Sequence, residues 1–159
     1  MRTIHANFET IKYPVGDKIL YNIPIIKNMG DKIKSILIKT KLDYFFPINL
    51  ICSGSSGAII AAMIATILNE DPSFTKIYIR HIKKESENSH GYSYMSADWF
   101  CGFNIIVDDF ITTGATMKYI FDKINDNTKI DLIAVSEIDR PEEIIDYLRE
   151  KKVKILLTQ

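Results

Sequence analysis

The chain has 159 residues, 20 basic and 20 acidic side chains, and 47% hydrophobic residues. This length fits a single domain, residues 1–159, with a real hydrophobic core, and the zero net charge argues against a dedicated nucleic-acid-binding protein. No segment approaches the roughly 20 apolar residues of a membrane span, and the first ten residues lack the apolar region of a signal peptide. We therefore expect a cytoplasmic protein with no membrane partner. The two cysteines, Cys52 and Cys101, give neither a disulfide framework nor a CxxC pair.

The first elements along the chain are predicted to be a hairpin, a helix, a strand and a second helix. Residues 8–13 and 18–22 have an extended pattern, and the Pro, Gly and Asp between them favour a turn. Apolar residues then recur at helical spacing over residues 25–37. Residues 48–52 form a short apolar run, and residues 58–68 are apolar nearly all round, as in a helix buried against a sheet.

The rest of the chain continues the alternation of strand and helix. We predict strands at residues 76–82, 104–107, 131–135 and 153–157, and helices at residues 117–124 and 141–150. Residues 83–102 interrupt this pattern, because they are polar and have no period, and a loop of this length is usually functional or disordered. Short apolar strands that alternate with helices predict an α/β fold, in which helices flank a parallel sheet.

Three loops are predicted to meet at one edge of this sheet. The loops are residues 52–57, 83–102 and 108–116, and each of them follows a predicted strand. Ligands of open parallel sheets bind beyond the carboxyl ends of the strands. We therefore expect the functional site where these loops converge.

The most informative segment is IIVDDFITTGAT, residues 105–116. A buried strand delivers two adjacent carboxylates, Asp108 and Asp109, to the edge of the sheet, where an unpaired buried charge would be costly. The hydroxyls and backbone N–H groups of residues 112–116 follow at the start of a helix, where they can cradle a phosphate. This pattern suits a phosphorylated ribose, with its phosphate at the turn and its diol near the carboxylates. The alternative is that Asp109 and the threonines only form a cap and a turn.

Other motifs that bind phosphate or metal do not fit the sequence. A Walker A loop needs GxxxxGK[ST], and the chain contains no Gly-Lys-Ser or Gly-Lys-Thr. A response-regulator receiver also has an acidic pair after a strand, but near its N-terminus, whereas this pair lies two-thirds along the chain. The histidines His5, His81 and His90 are scattered and form no ligand pattern for a metal-dependent hydrolase.

Residues 105–116 resemble the phosphoribosyl-diphosphate-binding motif of type I phosphoribosyltransferases, in which a hydrophobic run precedes two acidic residues and a Thr/Gly-rich turn. The resemblance implies that a nucleobase nitrogen displaces pyrophosphate from phosphoribosyl diphosphate, with Mg²⁺ as the cofactor. Asp108 and Asp109 would be catalytic residues that hold the ribose hydroxyls or the magnesium around them. The 5′-phosphate would bind to the turn residues Thr112, Thr113, Gly114, Ala115 and Thr116.

The same resemblance assigns the turn after the first core strand to the pyrophosphate group. A Ser/Gly-rich turn at a helix N-terminus can bind an anion through backbone N–H groups. The residues of this turn are Ser53, Gly54, Ser55, Ser56 and Gly57. Many members of the family carry a basic residue in this loop, whereas this chain has only serines and glycines. The alternative is a plain strand-to-helix turn.

Residues 83–91, KKESENSHG, resemble the mobile catalytic loop of orotate phosphoribosyltransferases. A basic pair, Lys83 and Lys84, a Glu and a His-Gly pair match in type, but the segment is one residue longer and lacks the intervening Lys. The resemblance implies that Lys83 binds substrate and that Lys84 and His90 assist the departing pyrophosphate. In orotate enzymes this loop serves the neighbouring subunit's site, so a homodimer is expected. The alternative is a solvated strand end followed by an ordinary loop histidine.

A further match to orotate enzymes is an Asp-Arg pair, Asp139 and Arg140, which follows the predicted strand at residues 131–135. The resemblance implies that Arg140 binds the carboxylate of the base through a bidentate contact. Alternatively, Asp139 caps the helix that Pro141 begins.

These matches favour orotate as the base and leave purine bases as an alternative. The resemblance also implies a core at residues 25–159 and a small N-terminal hood, residues 1–24, that sets base specificity. The main rival function is a regulator that keeps the site only as a sensor of phosphoribosyl diphosphate. The neutral charge argues against a nucleic-acid partner, and Lys84 and His90 favour an enzyme.

Overall fold

A computed structural model describes residues 23–40, 46–83, 101–124, 127–139 and 141–158. The predicted hairpin at residues 8–22 lies outside these ranges. Three predicted site residues, Lys84, His90 and Arg140, also lie outside the described residues.

From residue 23 onward, the described residues contain the predicted strands and helices in the predicted order, together with two short strands that the sequence did not predict. The strands are β1 (Ile48–Ser53), β2 (Ile77–Ile82), β3 (Phe103–Val107), β4 (Phe110–Ile111), β5 (Leu132–Val135), β6 (Glu137–Ile138) and β7 (Lys154–Leu157). The helices are α1 (Ile23–Lys39), α2 (Gly54–Asn69), α3 (Ala115–Lys123) and α4 (Pro141–Glu150). Among the described helices, none is both long and apolar enough to span a membrane.

The longer strands form one parallel sheet in the order β2-β1-β3-β5-β7. The predicted fold class, a parallel sheet flanked by helices, is therefore confirmed. Strands β1 and β5 are buried along their whole length, because helices cover both faces and leave no solvent-facing row of side chains. Strand β2 forms one edge of the sheet and is partly exposed, but its last residue, Ile82, is buried.

Side chains of the sheet alternate between two hydrophobic layers, one on each face. On one face, Leu50, Cys52 and Ile105 pack with the buried positions of α1 and α2. On the other face, Ile51 and Ile106 pack with the buried positions of α3 and α4. The twofold period of a strand therefore lets β1 and β3 contribute to both layers.

A hydrogen-bonded polar network lies inside the apolar sheet, near the amino ends of its strands. Asn49 on β1 and Asn104 on β3 are 0% and 2% exposed. The Asn49 amide donates to Asn104 Oδ1 at 2.9 Å, and Arg80 Nε on β2 donates to Asn49 Oδ1 at 3.1 Å. Asn104 Nδ2 donates in turn to the Lys129 carbonyl at 2.9 Å. The network links three neighbouring strands and pairs polar groups whose burial would otherwise be costly.

We expect Asn49→Ala to lower the free energy of unfolding by about 1–3 kcal/mol, because it leaves the buried amide of Asn104 without one of its partners. Chemical denaturation measures this change. The matched control is Ser35→Ala on the exposed face of α1, which we expect to change the free energy by less than about 0.5 kcal/mol. Equal stability of the two variants would show that the network does not stabilise the sheet.

Candidate functional site

The carboxyl ends of the parallel strands bring the predicted site residues that the structure describes to one edge of the sheet. The turn at residues 53–57 follows β1, Lys83 follows β2, and residues 108–116 follow β3. Of the long loop predicted at residues 83–102, the structure describes Lys83 at this edge and residues 101–102 before the start of β3. We call residues 53–57 the serine turn, residues 112–116 the threonine turn, and Asp108 with Asp109 the acidic pair.

The acidic pair is buried, and its backbone is held by the neighbouring strand β5. Asp108 is 7% exposed and Asp109 is 6% exposed. The backbone N–H of Asp108 donates to the Ala134 carbonyl at 3.2 Å. The Asp109 carbonyl accepts two hydrogen bonds from Ser136, one from its N–H at 3.0 Å and one from its hydroxyl at 2.5 Å. Strand β5 and the residue after it therefore fix the main chain of both acidic residues.

Each carboxylate of the acidic pair is oriented by the N–H of the next residue. The Asp109 N–H donates to Asp108 Oδ1 at 3.0 Å, and the Phe110 N–H donates to Asp109 Oδ1 at 3.0 Å. These bonds offset part of the cost of burying two neighbouring charges. The Asp109 carboxylate therefore accepts from the N–H of Phe110, which lies before α3 begins, and does not cap that helix. The alternative interpretation of Asp109 as a helix cap is not what the structure shows.

A short strand that the sequence pattern did not predict, β4, carries the chain from the acidic pair to the threonine turn, and it pairs with a second unpredicted strand, β6. Strand β4 pairs in parallel with β6, so that Phe110 lies opposite Glu137 and Ile111 lies opposite Ile138. The Asp139 N–H then donates to the Ile111 carbonyl at 2.8 Å. This pairing fixes the direction in which the chain enters the threonine turn.

The threonine turn presents polar groups to solvent at the start of α3. Thr112, Thr113 and Ala115 are exposed, and Thr116 is partly buried. The Ala115 N–H donates to Thr113 Oγ1 at 3.4 Å, and Gly114, at the N-cap of α3, provides no side-chain cap. A helix N-terminus has unpaired N–H groups and a positive dipole end, so hydroxyls at this position suit a bound anion such as phosphate.

Gly114 is required in the threonine turn for two reasons. Its φ is +74°, in the left-handed region that glycine adopts without strain. A Cβ at this position would also overlap the side chain of Ile144 on α4. The close approach of the turn to α4 therefore depends on the absence of a side chain.

The serine turn is the first turn of α2 and not a separate loop. Ser53 ends β1, and α2 begins at Gly54, whose φ is +74°. The Ser53 hydroxyl is buried and donates to the Ile82 carbonyl at 2.8 Å, so it ties β1 to β2. Ser55 is exposed and Ser56 is partly buried. Of the three serines that the sequence suggested, Ser55 and Ser56 present their side chains at the surface.

The serine turn packs directly against the acidic pair. A Cβ on Gly57 would lie 3.5 Å from the Val107 carbonyl oxygen and 3.7 Å from Asp108 Oδ1. Burial, together with the charge of Asp108, raises the pKa of the neighbouring Cys52 thiol to about 12. Cys52 therefore stays protonated near neutral pH and is not a nucleophile.

Lys83 is positioned by an interaction that the sequence did not indicate. The hydroxyl of Tyr119, on α3, donates to the Lys83 carbonyl at 2.7 Å. Lys83 is partly buried at the end of β2, beside the start of the serine turn. In the sequence, a tyrosine at helical spacing is typical of a core residue. Its hydroxyl reaches Lys83 only because the fold packs α3 beside the end of β2.

No protein-family model matches the sequence, and no curated protein sequence matches it either. The fold is similar to that of an adenine phosphoribosyltransferase, with a TM-score of 0.53 and 14% identity over 89% of this chain and 84% of that one. It is also similar to a phosphoribosyltransferase from Corynebacterium diphtheriae, with a TM-score of 0.53 and 13% identity over 89% of this chain and 78% of that one.

A lower similarity, with a TM-score of 0.45 and 16% identity, relates 77% of the chain to the hypoxanthine phosphoribosyltransferase of Trypanosoma cruzi in complex with the product IMP. The chain spans 64% of the length of that protein. The two similarities above a TM-score of 0.5, with the order of the strands, show that this chain has the type I phosphoribosyltransferase fold.

We expect Gly114→Ala to lower the free energy of unfolding by about 1–3 kcal/mol, because it adds a side chain at positive φ and into Ile144. Chemical denaturation measures the loss. Since part of the cost comes from overlap with Ile144, combining Gly114→Ala with Ile144→Val should cost less than the sum of the two single changes. Full additivity would contradict the close contact between the turn and α4.

Proposed function

We propose that this protein is a phosphoribosyltransferase, which transfers the 5-phosphoribosyl group from phosphoribosyl diphosphate to a nucleobase and releases pyrophosphate. The observation that carries the proposal is the placement of a buried acidic pair next to an exposed threonine turn at the start of a helix. Both lie at the carboxyl edge of a sheet with the phosphoribosyltransferase fold. This edge is where parallel α/β sheets bind their ligands.

Each part of the proposed donor substrate has a complementary part of the site. The 5′-phosphate would bind Thr112, Thr113, Gly114, Ala115 and Thr116 through N–H groups and hydroxyls. The ribose hydroxyls would donate to the carboxylates of Asp108 and Asp109. The pyrophosphate would bind the serine turn, residues 53–57, with Lys83 beside it. Because the serine turn packs against Asp108, pyrophosphate and ribose would lie next to each other, as they do in the substrate.

Mg²⁺ fits the acidic pair as a cofactor. Among the described residues, no group of three or more His, Cys, Asp or Glu side chains forms a protein-only metal cage. Two carboxylates suit Mg²⁺, which is commonly held by one or two carboxylates together with substrate phosphates and water. Asp108 and Asp109 would hold the ion directly or through ribose hydroxyls and water. When bound, it would offset negative charge on the pyrophosphate.

The chemistry that this site supports is displacement at the anomeric carbon. The bond from that carbon to the pyrophosphate oxygen breaks with both electrons leaving on pyrophosphate, and a nucleobase nitrogen forms the new bond and gives up its proton to water. The transition state resembles an oxocarbenium ion, so the fixed negative charges of Asp108 and Asp109 would stabilise it. We propose that Lys84 and His90 assist the departing charge.

The base is proposed to be orotate. This choice rests on the resemblance of residues 83–91 to orotate enzymes and on Arg140, which would bind the carboxylate of orotate. Purine bases are the second candidate, because a similar solved structure is an adenine phosphoribosyltransferase. Base specificity would come from the hood at residues 1–24. We further propose a cytoplasmic homodimer of one domain per chain, residues 1–159.

A regulator that senses phosphoribosyl diphosphate without turnover is the rival function. It would use the same acidic pair and threonine turn, and it would differ in the absence of pyrophosphate release. The fold and the described geometry suit both functions. The segment with Lys84 and His90 favours the enzyme, since a sensor has less need of groups that assist a leaving group.

The proposal is tested by incubating the protein with phosphoribosyl diphosphate, Mg²⁺ and one base at a time: orotate, uracil, adenine, hypoxanthine, guanine, xanthine or nicotinate. We expect pyrophosphate release with one of these bases, and we expect that base to be orotate. Asp109→Asn, which keeps the size of the side chain but removes its charge, should lower kcat/KM by about 100-fold. Asp146→Asn, on the exposed side of α4, should leave the rate unchanged.

If no base leads to pyrophosphate release, but the protein binds phosphoribosyl diphosphate tightly in the presence of Mg²⁺, the result would favour the sensor. A protein that neither turns over nor binds phosphoribosyl diphosphate would contradict both functions.

A further inference from the structure

Two hydrogen bonds fix the carboxyl end of β2, one to the serine turn and one to α3, the helix that follows the threonine turn. The Ser53 hydroxyl, at the start of the serine turn, donates to the Ile82 carbonyl at 2.8 Å. The Tyr119 hydroxyl, on α3 just after the threonine turn, donates to the Lys83 carbonyl at 2.7 Å. The carbonyls of Ile82, the last residue of β2, and of Lys83, the residue after it, are therefore held by hydroxyls from β1 and from α3.

The hydroxyl of Tyr119 and its ring have different contacts. The ring packs at the border of the hydrophobic layer that contains Ile82, with Lys123 Nζ 5.3 Å from the ring centroid. A phenylalanine would fill the same volume and keep these contacts. The hydroxyl alone reaches the main chain of Lys83, so its contribution is to fix where β2 ends relative to α3.

The serine turn, to which the proposed function assigns the pyrophosphate group, contains no positively charged side chain. Its five residues are serines and glycines, whereas a pyrophosphate carries several negative charges near neutral pH. Ser53 lies opposite Ile82 in the parallel register of β1 and β2. Lys83 is the next residue after Ile82 and therefore stands beside the first residues of α2. A lysine at this position is a flexible point charge whose reach depends on where its backbone is held.

We propose that Tyr119 is a positioning residue that holds Lys83 beside the serine turn, where Lys83 supplies the positive charge for the pyrophosphate group. This inference rests on the proposed function, which already places Lys83 beside the pyrophosphate, and adds to it a role for Tyr119. The 5′-phosphate binds at the threonine turn without Lys83. Loss of the Tyr119 hydroxyl therefore weakens binding of pyrophosphate and leaves binding of ribose 5-phosphate unchanged.

Calorimetry with the full chain tests the two subsites separately, with pyrophosphate and ribose 5-phosphate as probes, each in the presence of Mg²⁺. Tyr119→Phe should bind pyrophosphate about five to ten times more weakly than the natural protein, which corresponds to the loss of one hydrogen bond between neutral groups, the Tyr119 hydroxyl and the Lys83 carbonyl. Its affinity for ribose 5-phosphate should not change. Tyr147→Phe is the matched control, because it removes a tyrosine hydroxyl from the neighbouring helix α4 and should change neither affinity.

A second variant shows whether Tyr119 acts through Lys83. Lys83→Gln should show the same selective loss of pyrophosphate binding. The double variant should bind pyrophosphate no more weakly than Lys83→Gln alone, since the hydroxyl matters only while the charge is present. Equal loss of both probes in Tyr119→Phe, no loss, or additive losses in the double variant would each overturn the inference. A natural protein that binds neither probe would instead overturn the proposed function.

Discussion

Strand β5 and the residue that follows it provide the constraint on which the site depends. Ala134 and Ser136 hold the main chain of Asp108 and Asp109 through one accepted and two donated hydrogen bonds. Two adjacent carboxylates at low exposure would repel each other and lose hydration, so they persist only where the surrounding backbone fixes them and supplies N–H donors. A charge that is already oriented does not have to reorganise when a ligand binds. Such preorganised electrostatic stabilisation of the transition state is often the largest single contribution to the rate enhancement of an enzyme.

The threonine turn and the serine turn are positioned relative to the acidic pair. The pairing of β4 with β6 carries the chain from the acidic pair to the threonine turn, and Gly114 lets this turn approach α4 closely. On the other side, Gly57 brings the first turn of α2 against Asp108. Two helix N-termini therefore flank one pair of carboxylates. That arrangement suits a molecule with an anionic group at each end and hydroxyls between them, which describes phosphoribosyl diphosphate.

Much of this arrangement could be predicted from the sequence, because apolar periodicity identified the alternating strands and helices and parallel topology then placed their loops at one edge. The acidic pair and the threonine turn followed from a single continuous segment. Strands β4 and β6 could not be predicted, since two residues show no period. The buried Asn49 was hidden in an apolar run, and the bond from Ser53 to β2 depends on strand register. Tyr119 reads as a core residue until the fold brings it to Lys83.

A crystal structure of the protein with phosphoribosyl diphosphate and Mg²⁺ would test directly whether the acidic pair and the threonine turn form the binding site. We predict that the 5′-phosphate lies at the N–H groups of the threonine turn, residues 112–116, and that the ribose hydroxyls lie within hydrogen-bond distance of Asp108 and Asp109. A ligand bound elsewhere would contradict it. One such place is the cavity of about 330 Å³ at the opposite edge of the sheet, lined by Phe121 and Lys151 among others.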